Sequence, residues 1–251
     1  MATVREIQQR LISLGIPLPK FGADGDAGSE TLAAINSALD ELEVRRSGGE
    51  QKSGHDLGRT GGGGGAEWQP TVPVKVGEGV TVPLEWMPSA KMDRIICHWT
   101  AGTHQATEFD RGHYHILIEA DGNLVRGIPS IKLNEAPAKK GYAAHTLNCN
   151  TGSIGVSLCC MGGSVEAPFM PGKYPMTKAQ WDKLTSVVAD LCRKYGIKVT
   201  DRTVLSHAEV QHNLGIPQKG KWDYTVLAFD LSVKGARACG DKLRAEVLAK
   251  L

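Results

Sequence analysis

Arg94-Ile-Ile-Cys-His-Trp-Thr-Ala-Gly102 decides the fold class, because a compact apolar strand from Arg94 to His98 delivers an imidazole just before the chain turns. The surrounding sequence repeats short strands between helices. Tyr114 to Glu119 reads as a second strand, Ala120-Asp-Gly-Asn123 as a turn, and Leu124 to Ile128 as the strand that leaves it. Ser153 to Cys160 is so evenly apolar that it reads as a central strand buried on both faces. Thr177 and Gln180 can form a capping box ahead of Leu184, Val187, Val188, Leu191, Cys192 and Tyr195, a helical stripe that stops at Gly196. A strand near Arg202 to Ser206 leads directly into His207, and Lys234 to Leu251 reads as a terminal helix despite Gly235 and Gly240. Residues 71–251 are therefore expected to form a mixed α/β domain, a central β-sheet flanked by helices.

The preceding sequence has a different texture. Thr3 and Glu6 suit a capping box before Val4, Ile7, Leu11 and Leu14, and Gly15 should end that helix. After the break at Pro17 to Pro19, a turn-rich stretch from Phe21 to Ser29 leads to Leu32, Ile35, Leu39 and Leu42 on one helical face. Residues 1–46 are thus expected to be a small all-α domain. Thirty glycines among 251 residues are too many to spread evenly through packed elements. Residues 47–70, ending in Gly61 to Gly65 and then Pro70, have too few apolar side chains to offset the cost of ordering and read as a flexible glycine-rich linker. They lack the spacing of a phosphate-binding loop.

Composition narrows the partners. With 29 basic and 27 acidic residues the formal charge is +2, too small for the footprint that nucleic acid demands. Ile154 to Met161, the longest apolar run, cannot span a bilayer, so no membrane insertion is expected. Arg5, Glu6 and Arg10 stand where a secretory core would lie, so the expectation is a chain without a signal peptide. Six cysteines at irregular spacing within apolar stretches read as reduced, buried thiols.

Two imidazoles at strand ends, His98 and His207, together with the carboxylate of Lys221-Trp-Asp223 in a loop rich in glycine and proline, suit a catalytic zinc ion with an open fourth position. With eight histidines in the chain, spacing alone leaves other sets open. Cys97 beside His98 suggests a cysteine nucleophile, but neighbours on a strand face opposite ways. The run His207-Ala-Glu-Val-Gln-His212 separates its imidazoles by five positions, not the four that align a metallopeptidase pair on one helix face.

Read together, the motifs resemble the zinc-dependent N-acetylmuramoyl-L-alanine amidases, whose fold is shared with peptidoglycan recognition proteins. The matching pieces are Ile96 to Gly102, His113 to Ile118 with Asp121-Gly122, Ala144-His145, Ser153 to Val156, Ser206-His207 and Lys221 to Asp223. The resemblance implies zinc held by His98, His207 and Asp223, with Lys221 stabilising the oxyanion formed on the substrate carbonyl. It further implies that Tyr114 orients the attacking water or relays a proton, and that His145 lies near the substrate groove. Alternation along the expected strand sets Tyr114 opposite His113 and His115, which are expected to be structural. Cytosolic muropeptide-recycling relatives carry a glutamate at what corresponds to Ser157, so this chain departs from that branch. Val4 to Leu11, Asp24 to Gly28 and Thr31 to Ala34 resemble the small peptidoglycan-binding domain found beside many cell-wall hydrolases.

The expected whole is a modular, monomeric peptidoglycan hydrolase of the phage or prophage endolysin type. It would be held in the host bacterial cytoplasm before release to the wall. A recognition protein that binds peptidoglycan without cutting it is the main alternative. Such proteins commonly lack the metal ligand after the second histidine, whereas Asp223 is present here.

Overall fold

A computed structural model of the chain describes residues 3–13, 31, 35 and 80–251. The chain divides into two compact units, Met1–Pro70 and Thr71–Leu251. In the first, α1 spans Val4–Ser13 and opens with the expected capping box: Glu6 N donates to Thr3 Oγ1 at 3.3 Å, and Thr3 N to Glu6 Oε2 at 2.7 Å. Buried Gln8 donates through Nε2 to Thr31 Oγ1 at 2.8 Å, joining two of the motifs singled out in the sequence. Thr31 and Ile35 are helical. The expected stop at Gly15, the rest of the second helix and the linker lie outside the described residues.

The second unit is built on a five-stranded sheet of order β3-β2-β4-β1-β5. Its strands are β1 (Arg94–Trp99), β2 (Ile116–Ile118), β3 (Leu124–Arg126), β4 (Ser153–Leu158) and β5 (Val204–Ser206). Only β3 runs antiparallel, as the return arm of the expected hairpin. Every residue of β4 is buried, in keeping with its central place. Strand β1 shows why alternation matters. Ile95, Cys97 and Trp99 enter the main core with Val187, Val188 and Leu243, whereas Ile96 packs on the other face with Val210 and Cys149. His98 shares that second face.

Six residues, Glu108–His113, form helix α2, and Tyr114 caps it. Tyr114 is therefore not a strand residue, and β2 begins later than the sequence suggested. The cause is a capping box, in which Asp110 N donates to Thr107 Oγ1 at 3.1 Å and Thr107 N to Asp110 Oδ2 at 3.0 Å. Helix α3 (Lys178–Tyr195) behaves as expected and stops at Gly196, whose φ of 64° suits a residue without Cβ. Its capping residue Gln180 also donates to the carbonyls of Ile118 and Cys159 at 3.0 and 2.8 Å, fastening the helix start across β2 and β4. Helix α4 (His207–Leu214) was not expected as a helix. The hairpin β6 (Val226–Leu227) and β7 (Asp230–Lys234) claims Lys234, so the terminal helix α5 starts later, at Ala236–Leu248.

All six cysteines are free and buried. No helix among the described residues is long and apolar enough to cross a membrane.

Candidate metal centre

Register creates the site. Cys97 of β1 lies beside Ser206 of β5, so the next residue of each strand, His98 and His207, emerges at the same edge. His98 ends its run facing away from the main core, and His207 opens α4 behind a capping box in which Ser206 N donates to Glu209 Oε2 at 2.9 Å. Asp223 arrives on the loop before β6. That loop is pinned by Tyr224, which adopts a φ of 65°, donates from its hydroxyl to the His98 carbonyl at 2.6 Å and packs edge-on against Trp99.

The three side chains converge and all are buried. His98 Nδ1 lies 3.0 Å from His207 Nδ1, and Asp223 Oδ2 lies 3.7 and 3.6 Å from these two nitrogens. Burial resists ionisation of Asp223, yet His207 and His98 beside it hold its carboxyl well below the usual carboxylate range. Burial, aided by His207, pushes His98 down to about 4. At neutral pH His98 is thus a neutral imidazole and Asp223 an ionised carboxylate, the forms in which each can hold a divalent metal. The outer nitrogens are occupied elsewhere. His98 Nε2 lies 3.3 Å from Thr146 Oγ1 and 3.2 Å from His145 Nδ1, while His207 Nε2 lies 2.9 Å from Gln218 Oε1. With the outer edges anchored, both Nδ1 atoms and the carboxylate oxygen face one point, a donor set that fits zinc.

The remaining expected residues sit around this point. The half-buried Tyr114 ring lies 5.2 Å from the His98 ring, centroid to centroid, and burial followed by the Asp223 charge holds its phenol far above the ordinary value. It keeps its proton. Lys221 is exposed and, with Ala208, Gln211, His212, Gln218 and Gly220, lines a cavity of about 440 Å³ next to α4. His145, expected near the substrate groove, packs against the centre itself. It is 7% exposed and stands behind His98, with its ring over Gly155, where an added Cβ would come within 2.5 Å of it. His113 and His115 do stay out of the centre, but alternation is not the reason, since His113 belongs to α2. His113 Nδ1 donates to the Phe109 carbonyl at 2.7 Å. Buried His115 accepts from Gly155 N at 2.9 Å and donates to Asn134 Oδ1 at 3.0 Å.

Sequence reasoning missed Thr146, Gln218, Asn134 and Asn150. Asn150 Oδ1 accepts from the backbone of both His145 and Thr146, at 2.9 and 2.8 Å, while Asn134 Nδ2 donates to the carbonyls of Ala143 and Asn150. Polar residues in loops give no periodic signal. Thr146, Gln218 and Asn134 are buried and Asn150 is half-buried, and their hydrogen bonds shape the loops that back the two imidazoles. Ser157, beside His98 in the register of β4 with β1, is fully buried, and its hydroxyl faces the Tyr114 phenol.

Residues 88–224, more than half of the chain and every residue of the centre, match the family model described as N-acetylmuramoyl-L-alanine amidase. The chain belongs to this amidase family. A search of curated proteins returned no match. Among solved structures, similarity was found to the endolysin N-acetylmuramoyl-L-alanine amidase LysCS from Clostridium intestinale URNW, at 16% identity over 63% of this chain and 85% of that one, with a TM-score of 0.37. The N-acetylmuramyl-L-alanine amidase AmiD from E. coli, solved with an anhydro-muropeptide substrate, shares 20% identity over 47% of this chain and 48% of its own, with a TM-score of 0.35. The Ph2119 endolysin of a Thermus scotoductus bacteriophage shares 17% over 54% and 83%, with a TM-score of 0.33.

Proposed function

We propose that this member of the amidase family is a zinc-dependent peptidoglycan hydrolase that cuts the amide bond between N-acetylmuramic acid and L-alanine. The observation that carries the reading is the meeting of His98 Nδ1, His207 Nδ1 and Asp223 Oδ2, with ligand atoms all within 4.8 Å of one another, inside the matched region. These three residues would hold the ion. When bound, zinc would acidify a water molecule and polarise the scissile carbonyl.

The rest of the chemistry falls to this chain's own side chains. Hydrolysis adds a water oxygen to the lactyl carbonyl carbon, breaks the carbon–nitrogen bond and delivers a proton to the L-alanine nitrogen. Tyr114 retains its phenolic proton, so it orients water or carbonyl by hydrogen bonding and does not serve as a free base. Lys221, exposed two residues before Asp223, supplies an ammonium to the oxyanion that develops on attack. His145 and Thr146 hold His98 from behind.

In this reading, residues 1–46 bind the wall polymer, 47–70 tether them to the catalytic unit at 71–251, and the chain acts as a monomeric endolysin of phage or prophage. It would wait in the host cytoplasm until a separate factor opens the membrane. Mass spectrometry of digested sacculi tests the central claim. Peptides with free L-alanyl termini should appear, vanish with a chelator and return with added zinc. New sugar reducing ends, or unchanged cleavage in a preparation shown to be metal-free, would refute it.

A further inference from the structure

We infer that Gln218 is a positioning residue that fixes the tautomer of His207 and thereby selects Nδ1 as the nitrogen offered to the metal; the inference rests on the zinc reading above. Gln218 is 3% exposed, so solvent does not compete for its amide. Its Nε2 donates to the carbonyls of Leu147 and Ile216 at 2.9 and 3.3 Å. Both partners can only accept, so the nitrogen must occupy that side and Oε1 must face His207. Oε1 lies 2.9 Å from His207 Nε2, and an amide oxygen cannot donate. The proton therefore resides on Nε2. The lone pair of Nδ1 is left to point at His98 Nδ1 and Asp223 Oδ2.

The surroundings hold Gln218 to this task. Its backbone N donates to Gln211 Oε1 at 2.9 Å, on the same helix α4 that His207 begins. Leu147 follows Thr146, whose hydroxyl meets His98 Nε2. One short loop thus braces both imidazoles, touching His98 directly and His207 through Gln218. Outer partners of this kind set the orientation of metal-bound histidine, and their loss typically weakens metal binding by about 10- to 100-fold.

Two measurements on the full-length chain test the assignment. Long-range nitrogen–proton NMR of metal-free protein should show His207 protonated at Nε2, and a mixture of tautomers in Gln218→Met. A His207 protonated at Nδ1 in the unsubstituted protein would overturn the inference. Zinc dissociation constants from chelator competition should rise about 10- to 100-fold in Gln218→Met. They should stay within about threefold in Gln218→Glu, which keeps the accepting oxygen but loses the donors to Leu147 and Ile216. Equal weakening in both variants would reduce Gln218 to a loop staple and sink the tautomer role. If the unsubstituted chain binds no zinc, the metal reading fails, while the NMR result still decides the part played by Gln218.

Discussion

Asp223 is the only anion among the three converging side chains, so Asp223→Ala should abolish stoichiometric zinc and hydrolysis together. Lys221 lies outside that set, so Lys221→Ala should retain zinc by metal analysis while kcat falls about 100-fold, the usual cost of losing one oxyanion donor. Full turnover in the lysine variant would remove it from the mechanism. His98 and His207 were legible in the sequence because an imidazole at the end of an apolar strand stands out against its neighbours. The seat of His145 was not, since it depends on a missing Cβ at Gly155 in another strand. His115 makes a separate prediction about pH. Burial lowers its pKa from 6.5 to about 4, so between those values the unfolded chain binds the extra proton and the native chain does not. Stability therefore falls as pH drops through that window, by roughly 3 kcal/mol for this one group. Denaturant titrations at pH 7 and pH 4.5 should show the loss, and a smaller one in His115→Gln, where nothing titrates; an unchanged difference would show that His115 is not the group responsible.

Helices α4 and α5 meet through a buried ion pair that explains a glycine the sequence alone left puzzling. Arg244 of α5 reaches Glu209 of α4 at 2.9 Å and the Val204 carbonyl at 3.0 Å, while Glu209 also caps α4 at Ser206. A Cβ on Gly240 would collide with both Glu209 carboxylate oxygens. Gly240 interrupts the helical pattern because the carboxylate occupies its space, and no periodicity in the terminal segment could reveal a partner so far away in the chain. Helix α4 escaped notice for a related reason. It is short, and its strongest sequence signal was the Ser206 and Glu209 capping pair, not an apolar stripe. In an exposed helix, glycine to alanine gains about 1 kcal/mol. Here Gly240→Ala should destabilise instead, visible as a lower denaturation midpoint with an unchanged m-value. Arg244→Met should cost about 3–5 kcal/mol by leaving Glu209 buried without its partner. Because Glu209 caps the helix that His207 begins, both variants should also weaken zinc binding; a stabilised Gly240→Ala would show that α4 and α5 do not pack as described.

At the scale of the whole chain, the question is whether the two units divide the labour. Among the described residues, the buried members of the second unit's main hydrophobic core run from Val82 to Val247. The three converging side chains of the centre, His98, His207 and Asp223, belong to that unit. Chemistry on a small soluble substrate should then be indifferent to residues 1–65, whereas action on an insoluble polymer depends on how long the catalytic unit stays near it. A wall-binding module on a tether raises the effective concentration of the second encounter, often by orders of magnitude, without making a new contact at the scissile bond. Deleting residues 1–65 should therefore leave kcat/KM on short muropeptides within about twofold while sharply reducing both sacculus binding in pull-down assays and the rate of wall clearing. Added salt or excess enzyme should narrow the gap in clearing only if binding limits the rate. Parallel loss on soluble and insoluble substrates would mean that the first unit supports the catalytic fold, and retention of full wall binding would place the polymer-binding surface within residues 71–251.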